Sequence, residues 1–386
     1  MTEIAHSAPP VGIVAGEASG DLLGALLIEA LQTHDLATAF EGIAGPRMQA
    51  LGARSLFPME TLSVRGYVEA LANLRQILAI RRRLGAHFLA RPPRLFIGVD
   101  APDFNLGLAE RLKKGGIPTV HFVSPSIWAW RRERIEKIRR AVDHVLLIFP
   151  FEAAIYADAG IPATYVGHPL ARSLPARPDR DGARRRLGLD ATTACVALLP
   201  GSRTSEVKGL AATYLATARR MHAARPGLRF LVPLVNAETR RLFTTALAEA
   251  GGERLPLHLI DGQAHDVMQA ADLALIASGT ASLEALLLGC PHVITYRVPW
   301  LTYQIMKRQA YLPWVGLPNI LAGRDIVPEL LQDAAEPGRI AATLLDLLDD
   351  ADARAAMRTA FSAIRADLER DTPQRIVEAL SPFLRA

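Results

Sequence analysis

At 386 residues, half of them apolar, the chain exceeds one ordinary core and calls for two domains of about 150–200 residues each. Its formal net charge is a modest +5, and no run approaches the ~18 uncharged apolar residues of a membrane-spanning helix. Cys195 and Cys290 have no second Cys or His at metal spacing, and Glu17 and Asp21 interrupt a first apolar stretch that lacks a basic leader, so a secretory signal is not expected and a reducing, cytosolic setting fits.

Strand and helix patterns alternate from the start. Val11–Ala15 reads as a buried strand, followed by a Gly16-Glu17-Ala18-Ser19-Gly20-Asp21 turn and a helix from Leu22 to about Leu31. Leu95–Val99, Ile117–Val123 and His144–Ile148 are further strands, with helices at Leu106–Lys114 and Arg131–Ala141 between them. Each strand is a short β-branched or Leu-rich run, the signature of parallel strands covered on both faces. Gly115-Gly116 closes one helix.

Between Gly167 and Asp190 the composition turns to Pro, Arg and Asp, which reads as a linker. The rhythm then restarts with strands at Cys195–Leu199, Arg229–Val235, Leu257–Ile260, Leu273–Ile276 and His292–Tyr296. A Pro-rich stretch, Pro299–Pro318, interrupts this half, and a helical segment of about Asp333–Leu384 ends the chain. Two α/β halves of similar size predict two doubly wound domains across a cleft.

Charge is unevenly spread. Six arginines and no acidic residue lie between Arg75 and Arg94, and six basic residues face two glutamates between Arg131 and Arg140. One reading is solvated helix faces; the other is attraction to an anionic membrane surface, at roughly 1 kcal/mol per basic residue. No nucleic-acid-binding motif accompanies the charge, so a nucleic-acid partner is not expected.

Chemistry is concentrated just after strands, where open parallel sheets bind ligands. Gly16–Asp21 is neither a Walker loop nor a dinucleotide fingerprint; it is either a tight turn or a place of close ligand approach. Leu199-Pro200-Gly201-Ser202-Arg203-Thr204-Ser205-Glu206 leaves a strand and enters a helix, offering N–H groups, hydroxyls and a guanidinium to a diphosphate. Ala277-Ser278-Gly279-Thr280-Ala281-Ser282-Leu283-Glu284 repeats that arrangement, with Glu284 one turn on as a partner for ribose hydroxyls or a helix-dipole carboxylate. Together these turns suggest a nucleoside diphosphate held without metal.

The fourth such segment is Asp100-Ala101-Pro102-Asp103-Phe104-Asn105. Asp100 at a strand end is placed to become a general base, while Asp103 is a second candidate that also suits a helix cap. No further Asp, Glu or His clusters with them, so neither a metal nor another cofactor is expected. After the next strand comes Ser124-Pro125-Ser126-Ile127-Trp128-Ala129-Trp130-Arg131, whose aromatics suit either a core or sugar stacking.

Taken in order, Gly16–Asp21, Gly98–Asn105, Ser124–Arg131, Gly167-His168-Pro169, Leu199–Glu206, Ser278–Glu284 and Leu317–Arg324 span nearly the whole chain, and the set closely resembles the lipid A disaccharide synthase family of membrane-associated glycosyltransferases. The resemblance implies a GT-B fold of two Rossmann-like domains: an acceptor domain at 1–170, a linker at 171–190, a UDP-sugar domain at 191–365, and a final helix at 366–386 crossing back to the first. It implies inverting transfer from UDP-2,3-diacylglucosamine to 2,3-diacylglucosamine 1-phosphate (lipid X), at the inner face of the inner membrane, by a cytoplasmic peripheral protein for which a homodimer is one state. Asp100 or Asp103 would be the base. Gly201, Ser202, Arg203, Glu206, Ser278, Gly279, Thr280, Ala281, Glu284 and Asn319 would hold the donor, and Glu17, Ser19, Ser124 and Trp128 the acceptor. The family's Leu-Ser-Val-Met-Gly reads Leu62-Ser63-Val64-Arg65-Gly66 here, a more polar lipid contact. The alternative within enzymes is another GT-B enzyme of UDP-sugars, a cell-wall N-acetylglucosaminyltransferase or an epimerase.

Overall fold

The computed structural model describes residues 9–62, 67–128, 133–252, 254–298, 303–304 and 311–385. Arg65, Trp130 and Arg131 lie outside these, as do residues 299–302 and 305–310 of the Pro-rich stretch. The chain forms two compact units: Met1–Pro169 with Leu368–Ala386, and Leu170–Asp367.

The first unit is built on seven parallel strands: β1 (Val11–Ala15), β2 (Phe40–Ile43), β3 (Arg54–Ser55), β4 (Phe96–Val99), β5 (Thr119–Phe122), β6 (His144–Leu147) and β7 (Ala163–Tyr165). Their order is β3-β2-β1-β4-β5-β6-β7. β1 and β4 are buried along their whole length and pair with Ile13 opposite Ile97 and Ala15 opposite Val99. Since β1 turns to β2 on one side and β4 on the other, the strand order reverses between them. In this topology that reversal opens the ligand crevice at the strands' carboxyl ends.

The helix Thr372–Leu384 belongs to this unit and packs on Ala18–Thr33. Asp371 caps it, and Arg375 donates to the Tyr165 carbonyl at 3.0 Å. The Arg94 guanidinium likewise donates to the Leu384 carbonyl.

The second unit has six parallel strands: β8 (Cys195–Leu199), β9 (Arg229–Leu234), β10 (Leu257–Asp261), β11 (Leu273–Ala277), β12 (His292–Tyr296) and β13 (Glu329–Leu331). The order β10-β9-β8-β11-β12-β13 places its reversal between β8 and β11. Residues 171–190, expected as a linker, are folded into this unit. Arg184 is the reason: only 1% exposed, it donates to the carbonyls of Ala191 at 2.7 Å, Thr193 at 2.5 Å and Ala270 at 3.1 Å. A buried guanidinium needs such saturation to offset its desolvation.

Candidate functional site

At the reversal point of the first unit, β4 ends and the backbone takes two left-handed residues in succession, Asp100 at φ 50° and Ala101 at φ 42°. Neither is glycine, so the turn is strained by roughly 1–3 kcal/mol per residue. Asn105 over-determines it, its amide donating to the carbonyls of Asp100 (2.8 Å), Val99 and Val14 (both 3.3 Å). One buried side chain thus ties together the ends of β1 and β4. Gly98 makes room for it, since a β-carbon there would lie 2.8 Å from that of Asn105.

Asp100 is half-buried, and its carboxyl is pushed above the usual range first by burial and second by the charge of Glu17. Glu17 is the residue from which the helix Ala18–Thr33 starts, and it accepts a bond from Ser19 Oγ at 2.7 Å. This helix begins four residues before the sequence pattern suggests, so Ser19 and Asp21 lie in its first turn. Asp21 is structural: its carboxylate accepts from the backbone N–H groups of Arg47 (2.9 Å) and Met48 (3.1 Å).

Asp103 is placed differently. Its side chain is 83% exposed and pairs with Arg134 at 2.9 Å, in the first turn of the helix Pro102–Lys114. It lacks the burial that raises the Asp100 carboxyl.

On the neighbouring strand, the Ser124–Trp128 loop leaves β5. Ser124 Oγ and Tyr156 Oη are hydrogen-bonded at 2.8 Å, and Trp128 Nε1 donates to Glu152 at 3.1 Å. Glu152, which the sequence pattern does not single out, is 1% exposed, and burial pushes its carboxyl up to about 8.

At the reversal point of the second unit, both anticipated phosphate turns are brought together. Gly201, Ser202 and Arg203 follow β8, while Ser278, Gly279, Thr280 and Ala281 follow β11. Gly201 has φ 114°, and a β-carbon there would press on Glu206. Gly279 has φ 144° with open space beside it, and Gly279 and Thr280 are exposed at the start of the helix Thr280–Leu287.

The Glu206 carboxylate is turned towards its own loop. Its Oε2 accepts from the N–H groups of Ser202 (3.0 Å) and Arg203 (3.1 Å), and its Oε1 holds the Arg203 guanidinium at 3.2 Å. Two of the anticipated anion donors are therefore occupied, and Glu206 serves to shape the turn and aim Arg203. Arg203 itself remains 79% exposed. Tyr296, at the end of β12, feels both charges: burial and Glu206 raise its phenol, while Arg203 lowers it.

Glu284 is half-buried and stands 3.7 Å from His265, whose imidazole it raises above its ordinary value. His265 had no distinguishing pattern in the sequence. Asn319 also differs from its expected contact with donor. It is fully buried and uses all its bonding capacity internally, donating to Val327 O (2.9 Å) and Glu329 (2.8 Å) and accepting from the N–H groups of Ile326 (2.8 Å) and Val327 (3.0 Å). Its side chain has no polar atom left for a ligand.

The family model for lipid-A-disaccharide synthetase matches residues 11–380. The lipid-A-disaccharide synthase of Methylobacillus flagellatus is 53% identical over 377 residues, covering 98% of this chain and 100% of that protein. Among solved structures, Anabaena Alr3699/HepE in complex with UDP and glucose is similar with a TM-score of 0.59 at 15% identity, over 97% of this chain and 100% of that one. The UDP-GlcNAc 2-epimerase of Neisseria meningitidis bound to UDP-GlcNAc is similar with a TM-score of 0.63 at 13% identity, over 98% and 100%. At those identities the likeness speaks for the fold, that of GT-B enzymes. With a sequence match running almost end to end, the chain is a glycosyltransferase and belongs to the lipid-A-disaccharide synthase family.

Proposed function

We propose that the protein transfers 2,3-diacylglucosamine from its UDP derivative to the 6-hydroxyl of 2,3-diacylglucosamine 1-phosphate. The products are UDP and a β-1,6-linked disaccharide 1-phosphate. The observation that carries this reading is the matched chemistry at the two reversal points. One holds a carboxyl tuned upward for proton abstraction; the other holds donors suited to a diphosphate.

Asp100 accepts the proton of the acceptor hydroxyl as its oxygen attacks the anomeric carbon. Such a base contributes about 10²–10⁴ in rate. The bond from that carbon to the UDP oxygen breaks with inversion. The charge left on the diphosphate is met by Arg203, the hydroxyls of Ser278 and Thr280, and the N-terminus of Thr280–Leu287. Glu284, oriented by His265, takes the ribose hydroxyls.

A lipid acceptor calls for contact with a membrane surface. The helix Tyr67–Ala90 supports this: Ile80, Leu84 and Phe88 are buried, while Leu74 and Leu78 are 46% and 41% exposed among Arg75, Arg82 and Arg83. Apolar residues framed by arginines suit anionic lipid headgroups. No helix among the described residues is long and apolar enough to cross a membrane. The deciding experiment supplies the pure protein with both diacylated substrates and scores UDP release and disaccharide. Turnover of the donor without a disaccharide product rejects the reading.

A further inference from the structure

The loop leaving β5 starts from an unfavourable conformation. Val123, a β-branched residue, has φ 77°, in a region such side chains rarely occupy. Something must hold the following Ser124–Trp128 segment in place, and the segment after β6 does so at two points. Glu152 Oε1 accepts from the Trp128 indole, and its Oε2 accepts from the Phe149 N–H at 3.2 Å. One helical turn later, Tyr156 Oη meets Ser124 Oγ at 2.8 Å.

Aromatic rings enclose the first of these contacts. Trp128 stands edge-on to Phe151 at 5.3 Å and to Phe149 at 6.3 Å. Phe149 and Phe151 stack at 5.7 Å, and His168 lies 5.3 Å from Phe149. A carboxyl is expensive in such surroundings, and an apolar side chain would pack there at lower cost. Its retention is explained by what the two N–H groups demand. Both need an acceptor, and only a carboxyl presents two acceptor oxygens in that span; a glutamine would turn its NH₂ towards one of them. Burial pushes the acid up to about 8, and the bonds it accepts from Phe149 and Trp128 pull the other way, favouring the ionised form that presents both oxygens.

We infer that Glu152, with Tyr156, is a positioning residue: it locks the Ser124–Trp128 loop at the carboxyl end of β5 into the shape that receives the acceptor sugar. The acceptor half of this statement rests on the function proposed above; the locking half does not.

The test uses the full-length protein and reads the two halves separately. Hydrogen exchange at the amides of Ser124, Ile127 and Trp128 should run about tenfold faster in Glu152→Gln than in the parent, because the loop opens locally. Unchanged exchange overturns the inference. In the transfer assay, Glu152→Gln and Trp128→Phe should each raise the acceptor KM about tenfold with kcat at saturation within about twofold. The double variant should be no worse than either single, as expected for partners in one contact. Additive effects, or a fall in kcat at constant acceptor KM, overturn it.

Faster exchange with a raised donor KM instead supports the lock and rejects the acceptor assignment. Should Glu152→Gln not fold, Tyr156→Phe removes one hydroxyl from the other end of the loop and must accelerate the same amides. If it does not, the inference falls.

Discussion

Glu17 acts on Asp100 across the gap between adjacent strand ends. It stands at the start of the helix after β1, and its charge adds to burial in lifting the Asp100 carboxyl above the ordinary carboxylate range. A base that works ionised loses activity as pH falls through its own pKa. Removing the neighbouring negative charge lowers that pKa. Glu17→Gln should therefore carry the acid limb of the kcat/KM profile to lower pH, whatever it does to the maximum rate. An unmoved or upward-moved limb rejects Asp100 as the titrating group, or Glu17 as its neighbour.

The two candidate aspartates separate cleanly by substitution. Asp100→Asn keeps the shape and removes the proton acceptor, so kcat should fall about 10²–10⁴-fold while UDP still binds. Asp103→Asn removes an exposed partner of Arg134, a contact worth about 0–1 kcal/mol, and should leave turnover within about threefold. The opposite ranking in a steady-state assay transfers the role to Asp103.

Glu206 gives a third expectation. Its carboxylate occupies two backbone N–H groups and orients an exposed guanidinium, so its loss should loosen the turn more than it destabilises the fold. In Glu206→Ala, calorimetry should show UDP binding weakened about tenfold, or ~1.4 kcal/mol. The thermal midpoint should fall by only a few °C, since the two N–H groups that lose their acceptor at this helix start are worth about 0.5–2 kcal/mol. Unaltered UDP affinity would mean that Glu206 does not shape the donor turn.

These contrasts show what the sequence could and could not convey. Strands such as Cys195–Leu199 and His292–Tyr296 are legible to the residue because a short apolar run buried on both faces has one reading. β3, β7 and β13 have two or three residues each and are mostly half-buried, so they leave no periodic signal; β2 carries Glu41 in its middle. Helices begin earlier than their apolar pattern, at Ala18 and Pro102 rather than Leu22 and Leu106, because their first turns are polar.

Asp100 is legible as a charge ending an apolar strand. Glu152, His265 and Tyr296 are not, since each owes its character to a partner far away in the chain: Trp128, Glu284 and Arg203 with Glu206. Asn319 was misleading for the same reason. A Pro-Asn pair says nothing of the carbonyls and amides that later surround it.

Buried titratable groups also set how stability depends on pH. His121, His168 and His292 are buried, and burial lowers each imidazole to about 4. In the unfolded chain they titrate near ~6.5. Between those values the unfolded chain binds more protons, so stability is full above about 6.5 and is lost as pH falls. Glu152 works the other way: held at about 8 when folded and near ~4.5 when unfolded, it makes the folded form bind the extra proton, so stability falls as pH rises towards 8.

On the acid side three histidines outweigh Glu152 by about two protons, or roughly 2.8 kcal/mol per pH unit, and Asp100 and Glu329, both raised by burial, act against that balance. Above ~6.5 Glu152, at about 1.4 kcal/mol per unit, and His265, raised by Glu284, both take stability away as pH rises. The thermal midpoint should therefore trace a dome with its crest near pH ~6.5 and a steeper acid side. His121→Leu should flatten the acid limb and Glu152→Gln the alkaline limb, each read from the slope rather than from the absolute midpoint. A midpoint that climbs steadily from pH 6.5 to 8 in the parent protein would show that Glu152 is already ionised in the fold.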